Sequence, residues 1–527
     1  MRLGALTAVT LILALGCPVA RAVDDGDALV SASIGEPSTL VPILASDSAS
    51  AGLCGLIFNG LIKYDKNLQL IGDLAERWEI LDGGLTILFH LRRDVRWHDG
   101  QPFTADDVQF TYQQLINPNV RTPYSGDFER VKSLEVVDPF TVKVTYGEPF
   151  APGLASWGMW IMPKHLLEGQ DLHATAFARH PVGTGPYRFL RWVTADRVEL
   201  AANPDYYLGA PHLARWVDRI IPDQSTIFLE LQTEGVDLSD LTPLQYARQS
   251  STPFFRTHYQ RFRYPSSGYA YLGYNLKLPM FRDVRVRQAI NLAIDKDELV
   301  DGALFGLGRA ATGPFRERSW AINPDVHPAF FDPTKARRLL AEAGWRDTDG
   351  DGWLDHDGHP LAFTLLTNKN LTRELAAQII QRLLKDVGIK VEIRVMEWSS
   401  LLHNFIDQRQ FEVILLAWSL SQDPDVYDIW HSSKTREGEF NFVGYANPTV
   451  DRLLEEARRT FDQEARAKCY HEIHRILYEE QPYCFLYVAD ALPVVHTRIR
   501  GIAVAPAGID YNLQDWYVPR GEHRYDF

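Results

Sequence analysis

Apolar positions along this chain switch repeatedly between two periods. Leu375, Ile379 and Leu383 recur at helical spacing, with Ala376 and Ile380 beside them. Gly388 closes that run, as a glycine just past a helix end does. Ile389, Val391, Ile393 and Val395 follow with period two, the mark of a strand. Residues 371–395 therefore predict one helix-to-strand unit. Residues 281–300 predict a helix capped by Asp283, with Val286, Ala289, Ile290, Ala293 and Ile294 facing inward. Residues 103–115 predict another, and Thr104 with Asp107 has the form of a capping box. Before it, Trp97-His98-Asp99-Gly100 reads as a strand end and a turn. Strand and helix signals alternate throughout, with no internal repeat, low-complexity segment or long linker. The pattern predicts α/β lobes interleaved in sequence.

Length changes the picture first. A chain of 527 residues is too long for one simple domain and predicts two or three lobes. Apolar residues make up 46% and charged residues 23%, as in an ordinary soluble protein. The 13 Trp and 22 Tyr exceed what filling a core requires and suit stacking on a ligand. The net charge is −14 and no Lys/Arg-rich run occurs, which argues against a nucleic-acid partner.

Arg2, the apolar run from Leu3 to Leu15 and the small-residue site Ala20-Arg21-Ala22 have the layout of a secretory signal peptide over 1–22. The run is too short for a membrane span. Ala14-Leu15-Gly16-Cys17 loosely resembles a lipoprotein box, so lipid on Cys17 and cleavage after Ala22 are both open. Either outcome predicts a periplasmic or other extracytoplasmic location. Three further cysteines, Cys54, Cys469 and Cys484, leave at least one free thiol. Cys469 lies on an apolar helical stripe with Ala465, Ile473 and Leu477, as a core thiol would. A Cys469–Cys484 disulfide is left open.

Enzyme motifs are missing. There is no G-x-S-x-G elbow and no P-loop, and Gly306, Gly308 and Gly313 lack dinucleotide spacing. His471 and His474 stand three apart, where a zinc-protease helix needs four, and they read as surface histidines. The expectation is a protein that is not an enzyme and requires no cofactor. Asp347-x-Asp349-x-Asp351-Gly352 matches the first half of an EF-hand calcium loop. Gly358 stands where the bidentate Glu belongs, and Asp355 or Asp357 would supply oxygens instead. Asp347, Asp349, Asp351 and Asp355 are the candidate ligands of a structural calcium. The alternative is an Asp/Gly turn between a helix ending near Gly344 and a strand beginning near Leu361.

Four stretches together resemble the bacterial extracellular solute-binding proteins of family 5, the peptide-binding components of ABC importers. The first joins Leu74-Ala75-Glu76-Arg77-Trp78, Phe89-His90-Leu91-Arg92 and Trp97-His98-Asp99-Gly100-Gln101-Pro102-Phe103-Thr104-Ala105-Asp106-Asp107-Val108. The second joins Gly183-Thr184-Gly185-Pro186-Tyr187 to Asn203-Pro204-Asp205-Tyr206. The third joins Tyr271-Leu272-Gly273-Tyr274-Asn275 to Phe281-Arg282-Asp283-Val284-Arg285-Val286-Arg287-Gln288-Ala289-Ile290. The fourth joins Glu397-Trp398 to Trp418 and Asp423-Pro424-Asp425. They occur in the family's order.

The resemblance implies an α/β, two-lobed periplasmic-binding-protein fold, type II, of the large class with an extra subdomain. Lobe I would comprise 23–58, 183–273 and 489–527, its subdomain 59–182, and lobe II 274–488. It implies capture of an oligopeptide or dipeptide-like ligand between the lobes and delivery to the membrane subunits of an ABC permease. Nickel complexes, haem, oligosaccharides and opines stay open as ligands. A secreted hydrolase or a periplasmic sensor on the same fold is the alternative function. The chain would be a monomer, touching the membrane only through the permease or a lipid on Cys17.

By the same resemblance, Trp398 and Trp418 line ligand pockets, with Ser419 and Ser421 following Trp418. The best-known relatives carry an Asp at the place of Ser421, where it pairs with the peptide α-amine. A buried ammonium without that partner is costly. The expectation is thus a ligand without a free α-amine, or Asp423 in the missing role. Asp423 and Asp425 could instead cap a helix through Tyr427 and Trp430. Tyr269 and Tyr271, near the crossing between lobes, are expected to meet the ligand with their hydroxyls, or else to pack on the core.

Overall fold

The computed structural model describes residues 25–317 and 319–525. The expected signal peptide and Cys17 lie outside these residues. Three sheets organise the chain. The first runs in the order Tyr259–Arg261, Pro493–His496, Leu238–Asp240, Ala28–Ser33, Arg215–Ile220, Arg197–Ala202, Tyr187–Val193. Ala28–Ser33 lies parallel to both of its neighbours. The second runs Tyr264–Pro265, Tyr483–Ala491, Gly268–Tyr274, Val413–Ser419, Ala362–Asn368, Lys390–Met396, with Gly308–Ala310 also on Tyr483–Ala491. A four-stranded sheet, Ala75–Leu81, Thr86–Leu91, Thr141–Tyr146, Val131–Asp138, forms the subdomain. Its buried residues share one continuous core with the first sheet, from Leu29 and Trp216 to Phe89 and Trp157.

The chain passes twice between the two large sheets. Tyr259–Arg261 pairs with Pro493–His496 on the first, and a few residues later Tyr264–Pro265 pairs with Asp490 and Ala491 beside the second. The crossings are antiparallel and adjacent, which makes a two-strand hinge. Gly268–Tyr274 then pairs with Val413–Ser419 without a break in register. The strand thus belongs to the second lobe, and the expected boundary between 273 and 274 moves to the stretch before 268. On the return, Tyr483–Ala491 stays with the second sheet, so the crossing comes at Leu492 rather than between 488 and 489.

Period two is visible across the second sheet. Tyr269 and Tyr271 face one core with Ile414 and Trp430, while Ala270, Leu272 and Tyr274 face the other with Val413 and Leu415. The helix-to-strand unit forms as Leu371–Lys385 and Lys390–Met396, the latter parallel to Ala362–Asn368. Asn370 caps the helix, and Gly388 takes φ +85° at its end. The helix expected over 281–300 is interrupted. Val284–Ala293 stops at Ile294, and Asp295 starts a second helix, Lys296–Leu304, by accepting from the N–H groups of Asp297 and Glu298. The capping box at Thr104 and Asp107 forms as expected. Asp107 also accepts from Trp97 Nε1 at 3.3 Å and from the Lys164 N–H at 3.0 Å, tying two loops to that helix.

One open question is settled and one reading is corrected. Cys469 and Cys484 are both free thiols and sit in different cores on opposite sides of the second sheet, so no disulfide joins them. His474 is buried rather than on the surface. Asn323 donates its N–H to His474 Nδ1, and burial pushes the imidazole down to about 4. His474 lies on the buried stripe of the helix Gln463–Glu480 with Tyr470, Ile473 and Leu477, while His471 is half-buried. Among the described residues, no helix is long and apolar enough to cross a membrane.

Candidate ligand-binding cleft

A cavity of about 1040 Å³ lies between the lobes, at the upper end of the usual range for small-molecule sites of about 300–1,000 Å³. Lobe I lines it with the loop after Ala28–Ser33, the helix Ser48–Ile57, and residues from Tyr124 to Trp160 of the subdomain. Lobe II lines it with Asn368 to Arg373, Trp398, and the loop from Trp418 to Asp428. The lobes are closed on each other. Phe440 of lobe II meets Tyr124 of lobe I edge to face, centroids 5.8 Å apart.

Trp418 ends the strand Val413–Ser419 and is half-buried in an aromatic column. It stacks on Tyr271 at 6.3 Å and 10° and on Phe442 at 5.8 Å and 18°. Tyr271 stacks in turn on Tyr483 at 4.0 Å. One edge of Trp418 faces the cavity, and the column behind it fixes the ring. Trp398 opens a short helix, Trp398–Leu401, which Glu397 caps by accepting from the Ser399 and Ser400 N–H groups. Its indole lies directly against Gly35 of lobe I. A Cβ on Gly35 would stand 2.9 Å from Trp398 Cδ1.

Ser419, Ser421 and Asp423 also line the cavity. Ser421 donates its hydroxyl to the Asp423 carbonyl at 2.8 Å. Asp423 also binds Arg466, with Nη2–Oδ1 at 2.9 Å. Asp425 accepts from the Tyr427 N–H and also binds Arg458. Tyr271 reaches the cavity wall. Tyr269, as buried as Tyr271 at 1% exposure, is not part of that wall and packs on Phe485 in the core. The strand puts both tyrosines on one face; Tyr269 is the cross-strand partner of Trp418, and the Tyr271 ring is the one that stacks on it.

Asp347, Asp349 and Asp351 bring carboxylate oxygens within 4.8 Å of one another on an exposed loop. Asp355 is turned away from them and accepts from the Thr348 N–H and hydroxyl. Asp347 accepts from the N–H groups of Gly350 and Gly352.

Sequence reasoning missed Arg373, Arg316, Asp240, Asp127 and Gln224, which all line the cavity. None lies on a periodic stripe that points inward. Asn370, which caps the helix, is the one local signal that places Arg373 at a helix start.

The model of bacterial extracellular solute-binding proteins, family 5 Middle, matches residues 69–439. The chain is 34% identical over 505 residues to the oligopeptide-binding protein AppA of Bacillus subtilis, covering 94% of this chain and 92% of that protein. The solved structure of AppA in complex with a nonapeptide superposes with a TM-score of 0.90 at 32% identity, covering 95% of this chain and all of that one. NikZ from Campylobacter jejuni in complex with Ni(L-His) superposes with a TM-score of 0.84 at 30% identity, covering 93% and 99%. The fold is the two-lobed type II periplasmic-binding-protein fold, and the chain belongs to the bacterial extracellular solute-binding proteins of family 5.

Proposed function

We propose that this protein captures peptides in the interlobe cleft, on the extracytoplasmic side of the membrane, and delivers them to the permease of an ABC importer. The observation that carries this reading is the interlobe cavity of about 1040 Å³, walled by the fixed ring of Trp418 and by Trp398, in a chain 34% identical to AppA. Flat, immobilised rings offer contact area without choosing a particular side chain. Closure removes water from the polar contacts and strengthens them. Trp398, Trp418, Ser419 and Ser421 are the ligand contacts in this reading, and Tyr271 supports Trp418 from behind. Asp423 acts through Arg466 to shape the wall, and Tyr269 is a core residue.

The work is binding rather than catalysis. The relatives that this chain resembles in sequence and structure are solute-binding proteins. The chain acts as a monomer and needs no cofactor to close. In this reading the loop at Asp347, Asp349 and Asp351 holds a structural calcium ion far from the ligand.

A thermal-shift screen tests the function. Peptides of two to nine residues are expected to raise the melting temperature by mass action. Stabilisation by haem, a nickel–histidine complex or an opine, with no response to any peptide, would transfer the cleft to that ligand.

A further inference from the structure

A second cavity, of about 330 Å³, lies beside the ligand cleft, between the subdomain and lobe II. Ile80, Phe150 and Leu154 line it from the subdomain, and Trp320, Pro424 and Phe461 line it from lobe II. Two turns meet at its rim. One joins Ala75–Leu81 to Thr86–Leu91, and the other joins Pro448–Arg459 to Gln463–Glu480. Phe461, in the second turn, packs closely on Gly84, in the first. A Cβ on Gly84 would stand 2.5 Å from Phe461 Cζ. The pocket is therefore complete only when the lobes are shut.

Its wall is rigid and apolar. The Trp320 ring is held by the Arg466 guanidinium, 5.3 Å from its centre, and by the Tyr470 ring at 5.6 Å. Asp423 is the one charged side chain on this wall among the described residues, and Arg466 binds it at 2.9 Å. At the rim, Ile80 and Phe461 are 54% and 51% exposed. Large apolar side chains gathered around an opening mark a binding site more often than a solvated face. A charged group entering here would lose water without gaining a free partner, so the wall selects an uncharged, apolar occupant.

Continuity identifies that occupant. Tyr64, Ala155, Gln422, Asp423 and Pro424 line both cavities, so the two are compartments that share one wall. We propose that the smaller one is a side-chain subsite, which takes an aromatic or branched aliphatic residue at one end of a peptide whose body lies in the main cleft. The proposal rests on the peptide-binding reading and adds a preference to it. Because both lobes build the subsite, the seated side chain also favours the closed state.

The test is isothermal titration of the full mature chain with nonapeptides of Ala and Ser that carry Phe, Leu, Ser or Asp at the first or the last position. At one end, Phe and Leu are expected to bind about tenfold or more tighter than Ser, the scale of burying one large apolar side chain, and Asp should bind worst. In Ile80→Ser and in Phe461→Ser the Phe-over-Ser ratio should fall toward one. Both positions are half exposed, and circular dichroism checks that the variants fold. The ratio is taken within each variant, so a general weakening of closure cancels. A ratio that survives both substitutions, or no apolar preference at either end, overturns the subsite while the peptide reading stands. If the wild type self-associates, and both substitutions abolish this with the ratio intact, the rim is a contact between copies and the proposal falls. If no peptide binds, the peptide reading itself falls.

Discussion

Arg458 of lobe II reaches across the cleft mouth to Asp127 of lobe I, with Nη2 2.6 Å from Oδ1. The same guanidinium binds Asp425 at 2.6 Å, donates to the Gly126 carbonyl, and lies over the Tyr427 ring at 3.8 Å. It is only 2% exposed. Beside it, the Ala151 N–H donates to the Arg458 carbonyl at 2.6 Å, and Arg459 binds Glu148. These contacts join the subdomain to the far lobe, well away from the hinge strands. They are available only in the closed form. Arg458→Met should therefore act on closure rather than on folding. Removing one member of a buried pair costs about 3–5 kcal/mol, and opening the cleft relieves that cost by wetting Asp127. The expected result is an open protein with ligand affinity at least tenfold weaker and a nearly unchanged melting temperature without ligand. Small-angle scattering would show the larger radius of gyration. An unchanged radius and affinity would mean that the contact plays no part in closure.

The same cluster makes closure depend on pH. Burial pushes Asp428 up to about 7 and Asp127 up to about 6, although the Arg458 charge opposes the shift at both. Opening the cleft would wet both carboxylates and return each toward the ordinary value of 3.8. Between roughly pH 4 and 7 the closed form thus binds more protons than the open one. Stability of the closed state falls as pH rises through that window and is greater at pH 5.5 than at pH 8. The limit is about tenfold per pH unit for each proton taken up. Domain closure followed by scattering or by paired fluorophores, at pH 5.5 and pH 8, should show the closed fraction rising in acid. In Asp428→Asn the dependence should shrink. A closed fraction that rises with pH would contradict the assignment.

Gly35 of lobe I and Trp398 of lobe II meet in a tight contact at the cleft wall. A methyl on Gly35 would sit 2.9 Å from Trp398 Cδ1 and 3.2 Å from Cγ, so the ring or the lobe must move. Overpacking of this kind costs about 1–3 kcal/mol. Gly35→Ala should weaken ligand binding about tenfold by holding the lobes apart. In a Trp398→Ala background the same substitution should cost almost nothing, because the ring that it strikes is gone. A double-mutant cycle on ligand affinity measures the difference. Additive effects would show that the two residues do not meet in the bound state.

The lobes were legible in the sequence because burial on one face leaves a period. Leu375 to Leu383 and Ile389 to Val395 announce their elements, and Thr104 with Asp107 announces a helix start. The break at Ile294 was not legible, since the apolar stripe runs straight through a point where Asp295 restarts the helix. The hinge was misplaced by a few residues for a related reason. Tyr269 and Tyr271 alternate with Ala270 and Leu272 alike whichever sheet receives them, and only the pairing with Val413–Ser419 decides. Trp418 and Trp398 were found through the family resemblance, and Asp423 was judged by its type without sight of Arg466, 43 residues later. Arg373 and Asp240 could not be found at all. Neither lies on a periodic stripe, and only the fold brings them to the cleft wall.

The acidic loop offers the last test. Asp347, Asp349 and Asp351 hold like charges within 4.8 Å of one another on an exposed turn, and the N–H groups they accept carry only partial charge. A divalent cation would relieve that repulsion. With three carboxylates, no bidentate Glu and Asp355 turned toward Thr348, the affinity belongs with weak extracellular sites of about 10⁻⁴–10⁻³ M. At a few millimolar calcium, mass action then contributes about 1–2 kcal/mol. In a chain of this size that is a rise of a degree or two in melting temperature. Chelator should reverse the rise, magnesium should not reproduce it, and Asp349→Asn should abolish it while leaving peptide affinity unchanged. A melting temperature indifferent to calcium in the wild type would leave the loop as a turn closed by its own Asp side chains.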